Sequence, residues 1–465
     1  MDRLTILQNM LTTQSAVIAS STQYQLATLQ GGTAIIQEQL QQEEEEAARP
    51  KKHGGSRKGR SANIRRDFEA GYARLYQDYF SETPLYNDYL FRRRFRMHRT
   101  LFMKIVHDVT EYDSYFVRKR DAVGKLGLYP IQKITSAMRI LAYGGAGDTN
   151  DEYLRIGEST SHKSLEHFTQ AIIDVYGGEY LRSPNDSDVQ RLLKIGKSRG
   201  FPGMLGSLDC MHWEWKNCPT AWAGQFQGKE KVPTIVLEAV VSQDLWFWHA
   251  FFGMPGSHND KNVLDASPLF QELLNGEAPS CTYSINGHTY NQGYYLADGI
   301  YPDWSTLIKT ISQPQGLQRK YFAKMQESAR KDIERGFGVL QAQFAIVARP
   351  ALAWTHKKLQ KVMKACVILH NLIVEDERGT PHDFIYDRTS RSETSRPNAL
   401  RSEDLSVFIQ NYRHMRDPTN HFALRDDLIA HLWARKGQLD EEISEEDEPL
   451  PPFGDSSDDE DQASD

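Results

Sequence analysis

The chain has 465 residues, of which 39% are hydrophobic and 25% charged. This length and balance are typical of a water-soluble protein with a sizeable core and polar extensions. No apolar run is long enough to cross a bilayer, so the sequence predicts no membrane partner. Four cysteines favour free thiols in a reducing compartment over a disulfide framework. The spacing Cys210-x-His212-x5-Cys218 matches no standard zinc site.

Charge is unevenly distributed along the chain. The formal net charge is −7, but residues 440–465 include thirteen acids and no lysine or arginine. The rest of the chain has 55 basic and 49 acidic residues and carries about +6. A basic body with an acidic tail is typical of a polyanion-binding protein whose tail competes for the basic surface. The alternative, which we favour slightly, is a solvated tail that only aids solubility.

The first 66 residues are predicted to be a disordered N-terminal region with a basic cluster. Residues 1–45 are rich in glutamine and threonine, which favours disorder, with a partner-binding helix as the alternative. The basic cluster indicates a nuclear-import signal or a flexible nucleic-acid-binding arm, and an ordinary charged linker is the alternative. A nuclear location is therefore expected. The basic side chains of this cluster are Lys51, Lys52, Arg57, Lys58 and Arg60.

Residues 67–183 are predicted to form a helical domain that resembles a helix-turn-helix. Helical periodicity predicts helices over Ile131–Tyr143, Asn150–Ile156 and Ser161–Tyr176, the last ending at Gly177-Gly178. A helix, a short helix and a turn into a capped third helix favour a DNA-binding unit. A plain helical bundle that supports the rest of the protein has about equal weight.

Several basic side chains of this domain are candidate DNA contacts. The segment Phe91–Val106 interleaves apolar and basic positions at helical spacing, so its apolar face packs while its arginines can reach phosphates. The third predicted helix presents further polar residues to a DNA groove or its phosphates. The candidates are Arg92, Arg93, Arg94, Arg139, His162 and Lys163.

After residue 200 the pattern changes to apolar strands, two of which carry a carboxylate. Gly206–Trp215 includes Asp209, and Gly293–Tyr301 includes Asp298 at the end of its apolar run. A carboxylate in such a strand is costly unless it is paired or binds a metal. Pro233–Ser242 and Leu245–Phe252 are predicted to form a hairpin that turns at Gln243-Asp244.

A third acid, Glu334, lies in a segment with a helical apolar stripe, Glu327–Phe344. Three antiparallel strands followed by helix, strand and helix predict an α/β fold, a ribonuclease-H-like mixed sheet flanked by helices. In that fold the first and fourth strands are neighbours, so the three acids meet at one edge of the sheet. Their oxygens suit hard divalent cations. Paired structural carboxylates are the alternative.

Other polar residues near these strands are weaker candidates. His258 and Asp260 lie in a loop that approaches the acids, although simple turn chemistry is the favoured interpretation. His212 and Glu214 are interpreted as structural. A helix is predicted over Asn262–Leu274.

The domain organisation follows from these patterns. Residues 200–378 form the predicted nuclease domain and residues 379–438 a C-terminal loop with helices that pack on it. Residues 439–465 form a disordered acidic tail.

Three segments resemble the acid motifs of PIF/Harbinger DDE transposases, most closely the Pong-like elements. They are Gly206–Trp213, Gly293–Tyr301 and Glu327–Gln341. Further likeness lies in Phe91–Met97, Pro255–Asp260 and Ala365–Glu377, so that it extends over roughly residues 50–437.

The resemblance implies that Asp209, Asp298 and Glu334 are the catalytic, metal-binding DDE triad, since none of the three is substituted. It further implies a Mg²⁺ or Mn²⁺ requirement, action in the nucleus and cutting of DNA at terminal inverted repeats, followed by strand transfer. A Myb-like accessory protein and self-association are the expected protein partners.

Two alternatives remain at this point. A domesticated host protein of this family could cut DNA without strand transfer, and the sequence does not separate it from a transposase. A domesticated protein could also act without catalysis in chromatin or transcription. Loss of an acid would favour this second alternative, and all three acids are present.

Overall fold

The computed structural model describes residues 64–122, 124–229, 231–378 and 402–446. The described residues from Arg66 onward form one compact unit. The predicted N-terminal region with its basic cluster, the loop 379–401 and the acidic residues after 446 lie outside the described residues. Among the residues that are described, no helix combines the length and apolar character needed to cross a membrane.

The segment before the sheet is helical, as its periodicity predicts. The short second helix covers fewer residues than the predicted Asn150–Ile156, because a 3-10 turn occupies Gly147–Asn150. The helices are α1 (Phe68–Tyr79), α2 (Asp88–Phe95), α3 (Arg99–Tyr112), α4 (Pro130–Tyr143), α5 (Asp151–Leu154), α6 (Glu158–Tyr180) and α7 (Asp186–Ser198).

A five-stranded mixed sheet with the order β3-β2-β1-β6-β7 forms the centre of the fold. The pairs β1–β2 and β2–β3 are antiparallel, whereas β1–β6 and β6–β7 are parallel. This order and these directions confirm the ribonuclease-H-like α/β fold. The strands are β1 (Met204–Glu214), β2 (Thr234–Val241), β3 (Phe247–Pro255), β6 (Tyr294–Ala297) and β7 (Leu307–Lys309), and a separate hairpin is formed by β4 (Tyr283–Ile285) and β5 (His288–Tyr290).

Helices cover the sheet and complete the chain. The contacts of α7 and α11 with β1, and of α13 with β3, place them against the sheet. These helices are α8 (Thr220–Phe226), α9 (Asp260–Ala266), α10 (Gln271–Asn275), α11 (Leu317–Gln343), α12 (Ala345–Ala348), α13 (His356–Glu377), α14 (Ser402–Met415) and α15 (Pro418–Glu446).

One hydrophobic core joins the N-terminal helices to the sheet. Phe102 of α3 and Ile172 of α6 belong to the same cluster of buried side chains as Val240 of β2 and Leu372 of α13. This shared core gives the two predicted domains a common source of stability. The boundary between residues 183 and 200 remains a prediction.

Helix α6 does not end at Gly177-Gly178, where the sequence predicts its end, but continues to Tyr180. Two interior glycines each cost about 1 kcal/mol of helix stability relative to alanine. Tyr180 is buried at the end of the added turn, its hydroxyl bonds Glu375 and its carbonyl accepts from Asn371. These contacts with α13 offset the local cost of the glycines.

Two other local predictions are wrong for identifiable reasons. The single helix predicted over Asn262–Leu274 is split into α9 and α10, because Pro268 lacks an N–H and clashes with the preceding turn. The hairpin β4–β5 is missing from the prediction although Asn286-Gly287 is a strong signal for it. Both residues have positive φ, as a type I′ turn requires.

His370 and Asn371 fasten α13 to the sheet. The Nδ1 of His370 is 2.7 Å from Gln343 Oε1, and its Nε2 is 2.8 Å from the Leu245 carbonyl. The Asn371 amide accepts from Phe247 N–H and donates to Phe247 O. Burial lowers the pKa of His370 from 6.5 to about 4, so this imidazole is neutral at pH 7.

We expect His370 to make the free energy of unfolding depend on pH between 6.5 and 4. In this window the unfolded chain takes up a proton at His370 and the folded chain does not, so stability falls as pH falls. At about 1.4 kcal/mol per pKa unit the loss is about 3 kcal/mol. Urea unfolding of His370→Gln should lack this part of the pH dependence. The matched control is His107→Gln, which changes an exposed histidine of α3. This variant should keep the pH dependence caused by His370. Equal pH profiles for wild type and His370→Gln would contradict the assignment.

Candidate active site

The register of two parallel strands places Asp209 beside Asp298. The last paired positions of β1 and β6 are Ser207 and Leu296. Asp209 lies two residues further along β1, and Asp298 lies two residues further along the chain, directly after the end of β6. Because side chains alternate between faces with a period of two, both acids share one face of the sheet. Neighbouring strands are about 4.8 Å apart, so the two carboxylates are close neighbours.

Burial disfavours the charged form of Asp209. It raises the pKa of this carboxyl, as do the nearby charges of Asp260 and Asp298, and the net shift is from 3.8 to about 6. A backbone hydrogen bond from Cys210 N–H, 2.8 Å from Oδ1, and the positive charge of Arg330 act in the opposite direction. The strand thus holds a carboxylate in an environment with too little positive charge to neutralise it.

Arg330 connects Asp209 to the third acid, Glu334. Its Nη1 donates to Asp209 Oδ2 at 3.0 Å, and its Nη2 is 3.1 Å from Glu334 Oε1. Arg330 and Glu334 are four residues apart on α11, which puts both on the same face of the helix. The sequence analysis did not single out Arg330, although its position one turn before Glu334 is a signal for this pairing.

The three predicted acids are therefore neighbours but do not form one ligand set. Within the described part of the chain, no group of three or more His, Cys, Asp or Glu side chains is arranged to hold a metal ion. Asp209 and Asp298 are adjacent through the sheet, while Glu334 reaches Asp209 only through Arg330. The side chain of Glu334 is 50% exposed, so it has room to turn toward the other two.

The donor set nevertheless fits a hard divalent cation. All three acids offer carboxylate oxygens, which Mg²⁺ and Mn²⁺ prefer to nitrogen or sulfur. A nearby cation would also relieve the cost of keeping Asp209 ionised, which Arg330 relieves only in part. Since Arg330 contacts both Asp209 and Glu334, a metal held by both acids requires Arg330 to release at least one of them.

Asp260, a weak candidate from the sequence, lies near this site. Burial raises its pKa, as do the charges of Asp298 and Glu238, whereas His212 and a hydrogen bond with Cys210 lower it. Asp260 is thus a further carboxylate close to Asp298. His258 is half-buried, and burial lowers its pKa.

The remaining polar residues of β1 have structural contacts. His212 Nδ1 is 3.0 Å from Thr234 Oγ1 on the neighbouring strand, and the Glu214 carbonyl accepts from Ala351 N–H. Cys210 and Cys218 are free thiols, as are Cys281 and Cys366.

The candidate DNA contacts of α2 differ in what they bind within the protein. Arg92 Nε donates to Glu377 at 2.8 Å. Arg94 bonds the Tyr79 hydroxyl, and its guanidinium lies 3.9 Å from the Tyr86 ring centroid. Both side chains are therefore occupied by the fold. Arg93 is exposed and has no carboxylate within 4.0 Å among the described residues.

The candidate DNA contacts on α4 and α6 lie near other side chains of the protein. Arg139 lies against the rings of Tyr143 and Tyr153. His162 is 3.7 Å from Glu158, and Lys163 lies 5.5 Å from the ring centroid of Tyr115. Their role in DNA binding stays a prediction.

Comparison with known proteins connects this site to a family. The model of the plant transposon protein family matches residues 178–381, which include all three acids, and a domain of unknown function matches residues 71–110. By this match and by the relatives it resembles, the chain is similar to Harbinger-derived transposases and nucleases. No solved structure matches it.

Proteins similar to this chain come from plants and animals. Protein ALP1-like of Arabidopsis thaliana is 23% identical over 290 residues, or 59% of this chain and 70% of the relative. The Arabidopsis protein named Antagonist of Like Heterochromatin Protein 1 is 23% identical over 302 residues, covering 63% and 74%. Human HARBI1, whose name describes a candidate nuclease, is 20% identical over 250 residues, covering 53% and 68%.

The raised pKa of Asp209 predicts how the stability of the metal-free protein depends on pH. Between pH 3.8 and about 6 the folded state holds a proton that the unfolded state loses, so Asp209 lowers stability as pH rises. Above pH 6 this cost reaches about 3 kcal/mol at about 1.4 kcal/mol per pKa unit. Asp209→Asn, measured by urea unfolding in EDTA, should therefore raise the free energy of unfolding by about 1–3 kcal/mol at pH 8, and by much less at pH 4.

Asp427 provides the matched control. Burial alone would raise its pKa, but hydrogen bonds from Tyr290 and His288 lower it below 3.8. Asp427→Asn should therefore lower the free energy of unfolding at pH 8, whereas Asp209→Asn should raise it. A loss of stability in Asp209→Asn at pH 8 would mean that Asp209 is an ordinary structural carboxylate.

Proposed function

We propose that this protein is a metal-dependent DNA endonuclease in which Asp209, Asp298 and Glu334 hold the divalent cations. The observation that carries the proposal is the parallel register of β1 and β6, which places two half-buried carboxylates side by side. The link from Asp209 through Arg330 to Glu334 supports the inclusion of the third acid. A purely structural pair would be expected to have its charge balanced, and Asp209 has a raised pKa instead.

Each residue has a defined part in this proposal. Asp209 and Asp298 bind from the sheet, and Glu334 joins them from α11 when its side chain turns away from Arg330. Bound Mg²⁺ or Mn²⁺ would polarise the scissile phosphate and lower the pKa of an attacking water or 3′-hydroxyl. Arg330, once released from an acid, keeps its positive charge next to the phosphate. No covalent bond between protein and DNA is required.

The specific activity we propose is that of a transposase. In this proposal the protein acts in the nucleus, cuts DNA at terminal inverted repeats and transfers the strand to a target. A Myb-like accessory protein and self-association would supply the binding to the transposon ends. The family of the chain supports these details, and a nuclease without strand transfer would use the same site.

A second candidate function is a non-catalytic role in chromatin. The name of one Arabidopsis relative refers to heterochromatin, which makes this function worth testing. Arg330 between Asp209 and Glu334 also suits a protein that keeps its acids as a folded ion-pair network. The two candidates differ in one property, because only the endonuclease should cut DNA when Mg²⁺ is added.

Neutral variants of the three acids should abolish Mg²⁺-dependent cleavage and leave folding intact. We expect Asp209→Asn, Asp298→Asn and Glu334→Gln each to lower the rate of plasmid nicking on the order of 10³-fold. Loss of a metal ligand removes several kcal/mol of transition-state stabilisation, and about 1.4 kcal/mol corresponds to a factor of ten. Gel analysis of supercoiled plasmid with Mg²⁺ or Mn²⁺ gives the rate, and circular dichroism checks the fold.

The control variant is Glu327→Gln. Glu327 lies on the same helix as Glu334, and its carboxylate accepts from Thr310 instead of Arg330. This variant should cut at nearly the wild-type rate. If the wild-type protein binds DNA and never cuts it under these conditions, the chromatin function takes the place of the endonuclease.

A further inference from the structure

A cleft lined by arginines lies between α2 and the end of α4, and none of the three acids lines it. Its volume is about 500 Å³. Arg349, which follows α12, lies next to it, since its Nη1 bonds the carbonyl of Gly144, the residue after Tyr143. We name this surface the arginine cleft. The residues that line it are Leu90, Arg93, Arg94, Arg96 and Tyr143.

Two guanidinium groups bond backbone carbonyls at the C-terminal end of α4. Arg96 Nη2 donates to the Ala142 carbonyl and Arg349 Nη1 to the Gly144 carbonyl, each at 3.3 Å. Arg96 also donates to the Arg93 carbonyl at 2.8 Å. Carbonyls at a helix C-terminus carry partial negative charge, which holds cations there without cancelling them. The fold therefore gathers these arginines by using backbone acceptors.

The arginine cleft lacks the counter-charges found elsewhere in the molecule. In the described residues, none of Arg93, Arg96 and Arg349 has a carboxylate within 4.0 Å, and the buried Nε of Arg96 has no hydrogen-bond partner. By contrast, several partly buried arginines elsewhere in the described residues have carboxylate partners. These pairs include Arg182–Asp188, Arg199–Asp332 and Arg416–Asp265. Like charges that are gathered without a counter-ion indicate an anionic ligand.

The chemistry of the arginine cleft fits a phosphodiester backbone. Guanidinium groups bind phosphate oxygens with two parallel hydrogen bonds, and an exposed tyrosine can contact phosphate or sugar. The ring of Tyr143 is 37% exposed at the edge of the arginine cleft. Several adjacent guanidiniums suit a polymer with regularly spaced phosphates better than a single anion.

The arginine cleft is also placed for the same DNA that would reach the acids. Trp213 Nε1 donates to the Arg349 carbonyl at 2.8 Å, and Trp213 is four residues beyond Asp209 on β1. Even spacing puts both side chains on one face of the sheet, about 13 Å apart along the strand. A duplex carries one phosphate charge per about 1.7 Å of its axis, so DNA at the acids extends past this distance.

We propose that Arg93, Arg96 and Arg349 form a second DNA contact, which binds the phosphate backbone beside the catalytic acids. The inference rests on the proposed function in that its ligand is the same DNA. It replaces the row Arg92 to Arg94, predicted from the sequence, with a set drawn from two separate segments, the end of α2 and the residue after α12. Of that row only Arg93 remains, because the fold already occupies Arg92 and Arg94.

The test is DNA binding without cleavage. Fluorescence anisotropy of the full chain with a labelled duplex of arbitrary sequence, in EDTA, gives the dissociation constant over about 50 to 200 mM salt. In the variant Arg93→Gln/Arg96→Gln/Arg349→Gln, we expect at least a tenfold weaker complex at the lowest salt. The slope of log K against log salt should also fall by about 0.9 for each phosphate that the variant no longer binds.

Two further proteins control for charge and folding. The variant Lys104→Gln/Lys194→Gln/Lys320→Gln removes the same charge from exposed positions on α3, α7 and α11. Its affinity for DNA should stay within about twofold of the wild-type value, because only long-range charge is lost. The single variant Arg93→Glu changes one exposed side chain, so it keeps the fold intact. Arg93→Glu should reduce the slope of log K against log salt by about 1.

The outcomes separate this inference from the proposed function. If wild-type protein cuts DNA and the triple arginine variant binds it with unchanged affinity and slope, the second contact does not exist. An equal loss of affinity in the lysine control would likewise contradict a localised site. If the triple variant loses only its affinity for a polyglutamate peptide, the arginine cleft binds protein and the inference is wrong. Weaker DNA binding by the triple variant, together with a wild-type protein that never cuts, would support the second contact and contradict the endonuclease.

Discussion

The parallel pairing of β1 with β6 is the constraint on which the candidate active site depends. Ser207 and Leu296 fix the register, and two residues later each segment has a carboxylate, Asp209 on β1 and Asp298 directly after β6. A slip of one residue in either strand would turn one acid to the opposite face and separate the pair. The register is itself fixed by burial, because Leu208 and Leu296 are fully buried in the core.

Charge balance explains why Arg330 occupies the centre of the site. Two neighbouring carboxylates in a partly buried setting repel one another, and burial already raises the pKa of Asp209. Arg330 supplies one positive charge to Asp209 and Glu334 together, which leaves the group of acids short of positive charge. This lack of positive charge lowers the stability of the fold, and it also makes the carboxylate oxygens suitable for divalent cations. Functional sites commonly carry such a cost in stability.

Sequence patterns were sufficient to predict the sheet and the proximity of Asp209 and Asp298. Each acid interrupts or closes an apolar run, and the strand order follows from the fold that such runs indicate. Features that depend on distant partners were not predictable. The passage of α6 through Gly177-Gly178 depends on Tyr180 meeting Asn371, 191 residues away. The placement of Arg96 and Arg349 at the end of α4 likewise requires the packed structure, since periodicity does not specify which backbone carbonyls a side chain reaches.

The most direct measurement is anomalous diffraction from crystals of the full chain soaked with Mn²⁺. Mn²⁺ is a close substitute for Mg²⁺ at oxygen ligands, and its anomalous signal locates the ion without reference to activity. The account predicts Mn²⁺ within about 2.5 Å of oxygens from both Asp209 and Asp298, with Arg330 moved away from at least one acid. Crystals in which Mn²⁺ binds elsewhere, while Arg330 still joins Asp209 to Glu334, would contradict it.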